Sequence, residues 1–237
     1  MNLILFSKEE IKEPLSASDP RYQHIKNILK IGKNETFDSG IINGPSGIAV
    51  IRSVDKNELF FQFFAKSESS PLYPVTLIIG TPRPPTARRL LKDMTSAGID
   101  RIWFTGTELG EKSYLTSKIW KEKKYMEYVI EGAQQGESTL LPEIRRFHSL
   151  KQCLEALEPG IKCALDNNES SQSISTFQGN IKRTVLAIGS ERGWTEKERN
   201  LLKGNDFTLL SMGSRVLRTE TACSMGIGLI LSSMNHL

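Results

Sequence analysis

The sequence predicts an α/β protein built from a small strand-rich unit and a larger domain with a mostly parallel β-sheet. Short apolar runs separated by turn residues fill the first 70 residues. A polar segment ending in proline follows at residues 66–71 and is typical of a linker. Beyond it, β-branched apolar runs alternate with helical patterns, which favours parallel strands with helices on both faces of the sheet. We therefore predict one domain at 1–70 and a second at 71–237.

The first domain begins with a predicted short helix at residues 22–31, whose apolar residues share one face and which is followed by Gly32 at the C-cap position. Strands and turns alternate after it, in the order turn 43–47, strand 48–54, turn 55–57 and strand 59–64. These elements predict a small barrel or sandwich.

The second domain has a longer series of predicted elements. They are strand 75–79, helix 86–96, strand 101–104, a long polar helix 117–134, strands 161–165 and 184–188, helix 196–203, strand 207–210 and an apolar helix 223–234. Thr195 and Glu198 have the spacing of a capping box at the start of helix 196–203. The final helix is apolar on nearly every face, which predicts burial all round, either in the core or against a second subunit. Gly226 and Gly228 would permit close helix contact.

Composition excludes several classes of protein. The chain has 237 residues, of which 38% are hydrophobic, and 31 Lys and Arg against 27 Asp and Glu, as in ordinary globular proteins. Its excess positive charge lies in residues 71–237, which permits a polyanionic partner without establishing one. No apolar stretch approaches the roughly 20 residues of a membrane span, and no signal peptide is recognisable, so we expect a cytoplasmic protein with no membrane contact. The 3 cysteines lack the paired spacing of a zinc site, so we expect reduced thiols and no metal.

Two loops follow the last two predicted strands, at the end of a parallel sheet where ligands usually bind. Residues 189–194 are bracketed by glycines, which let a flat ligand approach the backbone closely, although a tight turn without a ligand has the same pattern. The loop fits neither a phosphate-binding P-loop nor a dinucleotide fingerprint. In the second loop, Arg215, Arg218 and Glu220 lie between an apolar strand and an apolar helix. Because burial of an unpaired charge is costly, we expect these side chains either to form ion pairs or to serve the function of the site. The plainer alternative is a structural Arg218–Glu220 pair with Thr219 capping the helix.

Basic residues cluster twice in the second domain. One cluster, at the end of the first strand, is the better candidate for RNA phosphate contacts; it comprises Arg83, Arg88, Arg89 and Lys92. The other, at Lys118, Lys121, Lys123 and Lys124, is interpreted as the solvated face of a helix.

Together the two loops resemble the signature of a known family. Residues 188–194 (Ile-Gly-Ser-Glu-Arg-Gly-Trp) and 212–222 (Met-Gly-Ser-Arg-Val-Leu-Arg-Thr-Glu-Thr-Ala) are similar to motifs of the bacterial ribosomal RNA small subunit methyltransferase E family, which belongs to the SPOUT superfamily. The likeness extends to residues 24–30, which resemble a segment of that family's PUA-like N-terminal domain, and to residues 141–144, which resemble its Val-Pro-Glu-Ile.

The resemblance implies a PUA-like barrel that binds RNA, followed by a knotted SPOUT domain with a deep trefoil knot. It implies methylation of uridine N3 in small-subunit ribosomal RNA, free or in the assembled subunit, by a homodimer joined through the C-terminal helix. The implied cofactor is S-adenosylmethionine, held by Leu165, Gly189, Ser190, Glu191, Gly193, Leu210, Met212, Gly213 and Leu217. Lys26 and Lys30 join the arginine cluster as implied RNA contacts.

The implied reaction assigns roles to three charged residues. Loss of the uracil N3 proton places negative charge on the flanking carbonyl oxygens, and a fixed cation there lowers the barrier. Arg218 is the first choice for this cation and Arg215 the second, while Glu220 either takes the proton or orients Arg218, with orientation favoured. The N3 atom lies on the pairing edge, so the target base must be unpaired or flipped out.

Some positions depart from the family pattern. The usual Gly-Pro-Glu-Gly-Gly is changed at Ser190 and Arg192, and Ser138 replaces a family arginine. Two alternatives therefore accompany the main hypothesis. One is a non-catalytic RNA-binding or ribosome assembly factor in which Arg192 blocks the cofactor pocket, and the other is a methyltransferase with a different RNA target.

Overall fold

The computed structural model describes residues 3–170, 172–179 and 182–237. The chain forms two compact units, Met1–Pro71 with Ala133–Leu141 and Leu72–Gly132 with Pro142–Leu237. The sequence predicts residues 133–141 in the second domain, whereas in the structure they pack within the first unit. There the carbonyl of Thr139 accepts a hydrogen bond from the N–H of Asn43 (2.8 Å), and the Thr139 N–H donates to Ser69 Oγ (3.0 Å). The polar composition of residues 66–71 indicates the linker, but nothing in the composition of residues 133–141 indicates that this segment packs with the first unit.

The first unit contains a five-stranded mixed sheet with the order β1-β3-β4-β5-β2. Its strands are β1 (Ile4–Phe6), β2 (Leu15–Ser16), β3 (Thr36–Ile41), β4 (Ser46–Val54) and β5 (Glu58–Ser67). Only the β1–β3 pair is parallel; the β3–β4, β4–β5 and β5–β2 pairs are antiparallel. Phe6, Tyr22, Ile51 and Leu59 lie in the buried core of this unit. The predicted strands at 48–54 and 59–64 are present, and β1 and β2 lie at the two edges of the sheet.

The predicted helix at 22–31 differs in its start and its end. Helix α1 (Pro20–Gln23) begins after Asp19, whose side chain accepts the Arg21 N–H at 2.8 Å, and it continues as a π-helical turn at His24–Leu29. Lys30 ends the turn with a left-handed backbone (φ 55°), so the prediction of Gly32 as the C-cap is wrong. Glycine is the usual residue at this position, but another residue that adopts the left-handed conformation also ends a helix.

The second unit contains a seven-stranded sheet in which every neighbouring pair is parallel, which confirms the predicted parallel α/β fold. Its strands are β6 (Tyr73–Gly80), β7 (Ile99–Thr105), β8 (Glu143–Phe147), β9 (Ile161–Leu165), β10 (Gln172–Ser173), β11 (Thr184–Ile188) and β12 (Phe207–Ser211), in the order β10-β12-β9-β11-β6-β7-β8. The short β8 and β10 were not predicted.

Helices lie against this sheet. They are α2 (Pro84–Ser96), α3 (Lys112–Leu115), α4 (Lys118–Lys121), α5 (Tyr125–Gln135), α6 (Leu150–Glu155), α7 (Glu196–Lys203) and α8 (Thr219–Ser233). On β11, Val185 packs in one hydrophobic cluster with Leu150 of α6 and Leu202 of α7. The next residue, Leu186, points to the opposite face, where a Cβ on Gly226 of α8 would lie 2.9 Å from its Cδ2. Gly226 therefore permits the close approach of α8 to the sheet.

The prediction of one long helix at 117–134 is wrong. Within these residues the chain forms the short helix α4 and then the separate helix α5, and between them Lys123 interrupts the helical path with φ 54°. A run of polar residues with good helix propensity does not reveal this break, because the left-handed residue is a lysine rather than a glycine.

The final helix also departs from expectation. It begins at Thr219 rather than Cys223, and Met225 (48% exposed) and Leu229 (37% exposed) lie on its open side. Burial of the whole helix within the core of one chain is therefore wrong, and burial against a second subunit stays a prediction.

The three cysteines of the chain are free and buried. Burial raises the pKa of the Cys153 thiol to about 12 and also raises those of Cys163 and Cys223, so all three are protonated at neutral pH. In the ranges that the structure describes, no helix combines the length and apolarity needed to span a membrane. Over the same ranges, no group of three or more His, Cys, Asp or Glu side chains is arranged to hold a metal ion.

Candidate active site

A cavity of about 1010 Å³ lies at the carboxyl ends of neighbouring strands in the second unit. The strands β12, β9, β11, β6 and β7 are adjacent in the sheet, and the segment after each of them contributes to the wall. These segments include residues 83–86, 108–114, 165–168, 188–194 and 212–222. This is the edge at which parallel sheets bind ligands, because loops from several strands meet there.

The loop after β11 is both a tight turn and a cavity wall. The N–H of Gly193 donates to the carbonyl of Ser190 at 2.8 Å, and Gly193 has a left-handed backbone (φ 70°). A Cβ on Gly189 would lie 2.9 Å from the carbonyl carbon of Gly193, whereas a Cβ on Gly193 would meet nothing within 4 Å. Glycine is therefore needed at 189 for packing and at 193 for backbone conformation.

Side chains of the same loop anchor it to neighbouring segments. Ser190 is buried, and its Oγ accepts a hydrogen bond from Thr107 Oγ1 at 3.2 Å. The Glu191 carboxylate accepts the backbone N–H of Arg83, at the start of α2, at 3.1 Å. Arg192 is exposed at the cavity wall and leaves the cavity open.

Trp194 connects this loop to the segment after β9. Its indole N–H donates to the carbonyl of Leu165 at 3.0 Å, and the ring is buried. The neighbouring Asp166 is also buried, and its carboxylate accepts the backbone N–H groups of Asn168 (2.8 Å) and Glu169 (2.6 Å). These contacts give the 165–169 segment a defined shape.

Arg199 of α7 holds the two walls together. Its guanidinium donates to the carbonyl of Trp194 at 2.6 Å and lies 3.4 Å from the Asp166 carboxylate. The same side chain donates to Glu169 at 2.9 Å. This link was not predicted from the sequence, because Asp166 and Glu169 follow β9 and are about 30 residues from Arg199 along the chain.

The loop after β12 is open to the cavity. Gly213 has φ 96°, and its N–H donates to Ser211 Oγ at 3.0 Å. Across the described part of the chain, the backbone N–H groups of residues 214–217 have no hydrogen-bond acceptor. Polar backbone groups without partners in the chain are available to a ligand.

The charged residues beyond this loop do not form the predicted structural pair. Arg218 occupies the N-cap position of α8 without a side-chain capping bond, and Thr219 is the first helical residue. Glu220 instead pairs with Arg89 of α2 at 3.0 Å. Among residues 3–170, 172–179 and 182–237, Arg218 has no ion-pair partner, and it is exposed on the cavity wall. The Arg218–Glu220 pair and the Thr219 cap are therefore wrong predictions, since both depended on contacts between sequence neighbours.

The structure brings together most of the predicted cofactor residues. Those that line the cavity are Leu165, Gly189, Ser190, Glu191, Gly193, Met212 and Leu217, together with the predicted catalytic Arg218 and Glu220. Leu210 is buried within β12, while Gly213 and Arg215 are exposed; among the described residues these three are not part of the wall.

The predicted RNA contacts are scattered. Arg83 lines the cavity. Arg88 and Lys92 lie over the ring of Tyr128, at 5.7 and 5.3 Å from its centroid, and Lys92 also pairs with Glu131. In the first unit, Lys26 donates to the Tyr22 hydroxyl at 3.0 Å and Lys30 is exposed.

A further wall comes from the segment after β7, which the sequence did not single out. Glu198 accepts the N–H of Glu108 at 2.9 Å, and Thr195 Oγ1 donates to the Glu108 carboxylate at 2.7 Å. The hydrogen bond from Thr195 and then the contact with Lys197 lower the pKa of Glu108. Thr195 and Glu198 also form the predicted capping box, which is confirmed.

The arrangement combines glycine turns and unpartnered backbone N–H groups with three arginines that have no ion-pair partner among the described residues, Arg83, Arg192 and Arg218. Such a site binds a flat polar molecule through its backbone and stabilises negative charge that develops beside it. The family model described as an RNA methyltransferase domain matches residues 68–231, so the chain contains a domain of this class.

The chain is also similar over nearly its whole length to named relatives. "Ribosomal RNA small subunit methyltransferase E 1" from Borreliella burgdorferi is 38% identical over 225 residues, covering 94% of this chain and 94% of the relative. "Ribosomal RNA small subunit methyltransferase E" from Treponema pallidum is 38% identical over 245 residues, covering 98% and 91%. The chain belongs to the ribosomal RNA small subunit methyltransferase E family, which confirms the resemblance found in the two loops.

A solved structure shares the fold. The ribosomal RNA small subunit methyltransferase E from Neisseria gonorrhoeae, bound to S-adenosyl methionine, has a TM-score of 0.76 at 20% identity, covering 98% of this chain and 97% of that one.

Proposed function

We propose that the protein transfers the methyl group of S-adenosylmethionine to N3 of a uridine in small-subunit ribosomal RNA, in the cytoplasm. The observation that carries this proposal is the unpaired Arg218 guanidinium, which lies on the wall of a cavity formed by glycine turns. Family membership supports the reaction class and the ribosomal RNA substrate.

The residues present fit the cofactor. The volume of about 1010 Å³ is at the upper end of the roughly 300–1,000 Å³ of small-molecule sites, so the cavity has room for a nucleoside cofactor and a target base. Gly193 leaves open space where a side chain would enter the cavity, and the backbone N–H groups of Val216 and Leu217, which line the cavity, are available to hold polar atoms. The cofactor supplies an already activated methyl group.

Three charged residues are proposed to act on the target base. Arg218 stabilises the negative charge that spreads onto the uracil carbonyl oxygens when N3 loses its proton, and Arg215 is the second candidate. Glu220 lines the cavity and is held by Arg89, so we propose it as the group that accepts the N3 proton. The target base enters flipped out of its helix or from an unpaired region.

Methyl transfer tests the proposal directly. The protein is incubated with S-adenosylmethionine carrying a labelled methyl group and with small-subunit ribosomal RNA or subunits that lack the modification. Mass spectrometry of the nucleosides should show labelled 3-methyluridine. Absence of label from both substrates would contradict the proposal, and label on another nucleoside would contradict the N3 assignment.

Replacement of Arg218 tests its role. Arg218→Ala should lower kcat about 10²- to 10³-fold, as loss of a charge-stabilising donor does elsewhere, while cofactor affinity measured by calorimetry stays unchanged. Arg215→Ala is the matched control and should have a smaller effect. A larger loss in Arg215→Ala would reverse the two roles.

The exposed position of Arg192 favours an enzyme over a non-catalytic assembly factor. A blocked pocket would require the Arg192 side chain to occupy the cofactor space, whereas it is exposed at an open cavity. Calorimetry should therefore detect cofactor binding to the wild-type protein, and Arg192→Ala should bind no more tightly.

We also propose the finer fold features that the resemblance implies. These are a PUA-like RNA-binding barrel in the first unit and a trefoil-knotted SPOUT domain in the second. The knot is supported by the insertion of β11 between β6 and β9, with β12 paired to the other side of β9. The barrel is supported by the mixed five-stranded sheet of the first unit.

A homodimer joined through α8 completes the proposal. Met225 and Leu229 are four residues apart on the exposed side of the helix, and Gly228, beside them, has open space above it. Sedimentation should show a dimer for the wild type and a monomer for Leu229→Glu with unchanged circular dichroism. A monomeric wild type would contradict this interface.

A further inference from the structure

Residues 112–124 are rich in lysine and lie beside the cavity. The segment contains five Lys and one Glu, and in the structure it forms the short helices α3 and α4 rather than the solvated face of one long helix. The indole of Trp120 is buried beneath this segment, and its N–H donates to the carbonyl of Tyr114 at 3.1 Å. The lysines are therefore carried by a packed structure instead of a free helix.

A strand residue adds another cation to the same place. The guanidinium of Arg146, on β8, lies 5.3 Å from the centroid of the Trp120 ring and donates to the carbonyl of Leu115 at 3.1 Å. Lys118 and Lys121 flank Trp120 along α4, and both are exposed. We call Lys118, Lys121 and Arg146 the Trp120 patch.

The cations of the Trp120 patch are not neutralised by the chain. Across the described ranges, none of Lys118, Lys121 and Arg146 has an ion-pair partner. The nearby acidic residue Glu122 is paired with Lys124 at 2.8 Å. The patch therefore keeps its positive charge for a partner.

The arginine cluster of α2 differs in this respect. Arg89 is paired with Glu220, and Lys92 is paired with Glu131. Arg88 lies over the Tyr128 ring. Internal contacts thus involve Arg88, Arg89 and Lys92 of the cluster that the sequence favoured for RNA, whereas Lys118 and Lys121 of the other cluster have no ion-pair partner in the described ranges.

The Trp120 patch is continuous with the cavity. Tyr114 lines the cavity wall, and the next residue, Leu115, is the one whose carbonyl binds Arg146. An RNA strand that places one nucleotide in the cavity would bring the neighbouring phosphates over this patch.

We propose that the Trp120 patch binds the phosphate backbone of the substrate RNA beside the target nucleotide. The inference rests on the proposed function for the identity of the substrate. The planar Arg146 guanidinium is held in place by Trp120 and Leu115 and keeps further N–H donors for phosphate oxygens. Lys118 and Lys121 add two mobile cations, and RNA is the polyanion that the adjoining site is built to modify.

Salt-dependent binding measures these contacts. Small-subunit ribosomal RNA lacking the modification is titrated with wild type, Lys118→Gln/Lys121→Gln and Arg146→Gln over a range of salt concentrations. Each phosphate contact on a single strand contributes about 0.7 to the slope of log K against log salt, which near 0.1 M corresponds to about a fivefold change in affinity. The double variant should therefore bind about 25-fold more weakly at 0.1 M, with a slope lower by about 1.4, and Arg146→Gln about fivefold more weakly.

Matched variants separate a phosphate contact from a structural effect. Lys151→Gln removes an exposed charge from α6 of the same unit and should bind RNA as the wild type does. Arg146→Lys keeps the charge and should retain more affinity than Arg146→Gln. Wild-type affinity and salt slope in the double variant would overturn the proposal, as would an equal loss in Lys151→Gln.

Failure of the patch and failure of the proposed function have different signatures. If the wild type methylates the RNA but the patch variants bind it normally, the surface is wrong and the function stands. If the wild type transfers no methyl group but the patch variants still lose salt-dependent RNA affinity, the function is wrong and the surface stands. Calorimetry with S-adenosylmethionine should give the same affinity for all these variants.

Discussion

Replacing Arg199 with methionine should disconnect two walls of the cavity. Arg199 binds the carbonyl of Trp194 at 2.6 Å and the Asp166 carboxylate at 3.4 Å, and these partners belong to the segments after β11 and β9. Methionine preserves much of the apolar stem but removes every donor. Asp166, whose side chain is 3% exposed, then loses its cationic partner.

The size of the effect follows from burial. Removal of one partner of a buried ion pair costs about 3–5 kcal/mol, because the other charge stays buried. Asp166 retains hydrogen bonds from two backbone N–H groups, at 2.8 and 2.6 Å, so we expect the lower end of this range, about 3 kcal/mol. For a protein of this length, each kcal/mol lowers Tm by about 2–4 °C, which predicts a decrease of about 6–12 °C.

Thermal unfolding with and without S-adenosylmethionine is the assay. Lys203→Met is the matched control, because it removes only the exposed ion pair with Glu169 (2.6 Å), which is worth at most about 1 kcal/mol. Arg199→Met should also weaken cofactor binding, since both walls that Arg199 joins face the cavity. Equal Tm values for Arg199→Met and Lys203→Met would refute the reasoning.

Further predictions concern the charged groups of both units. Arg89→Ala should lower kcat for methyl transfer by about fivefold, because the partly exposed ion pair that positions Glu220 contributes no more than about 1 kcal/mol. An unchanged kcat would argue against positioning of Glu220 by Arg89. In the first unit, hydrogen bonds from Arg21 lower the pKa of Glu10 and, against the opposing effect of burial, that of Asp19. Their folded pKa values lie below the usual 4.5 and 3.8, so the free energy of unfolding should be constant at neutral pH and decrease as the pH falls through and below those values. Arg21→Gln should flatten this decrease in acid unfolding curves, and an unchanged pH dependence would contradict the assignment.

Local patterns predicted the elements that position the cavity. The β-branched run 75–79 and the apolar run 184–188 became neighbouring central strands, because a strand buried on both faces requires continuous apolar sequence. Thr195 and Glu198 predicted a helix start at 196 because both halves of a capping box lie within four residues. Gly189 and Gly193 predicted the turn after β11, because the tight packing and backbone conformation that require glycine there involve only residues of the same loop.

Contacts between distant segments were not predictable in this way. Arg89 and Glu220 are 131 positions apart, so the sequence suggested Arg218, two positions from Glu220, as the partner instead. The link from Arg199 to Asp166 crosses 33 positions and depends on how α7 packs beside β9. The helix breaks at Lys30 and Lys123 were not predicted, because the sequence does not show that a lysine adopts the left-handed backbone conformation.

A crystal structure of the protein soaked with S-adenosylmethionine would test the central claim most directly. We expect the cofactor in the cavity between residues 165–168, 188–194 and 212–217, with its methyl group directed towards the space beside Arg218. Cofactor bound elsewhere on the chain, or a methyl group directed away from Arg218, would contradict the account.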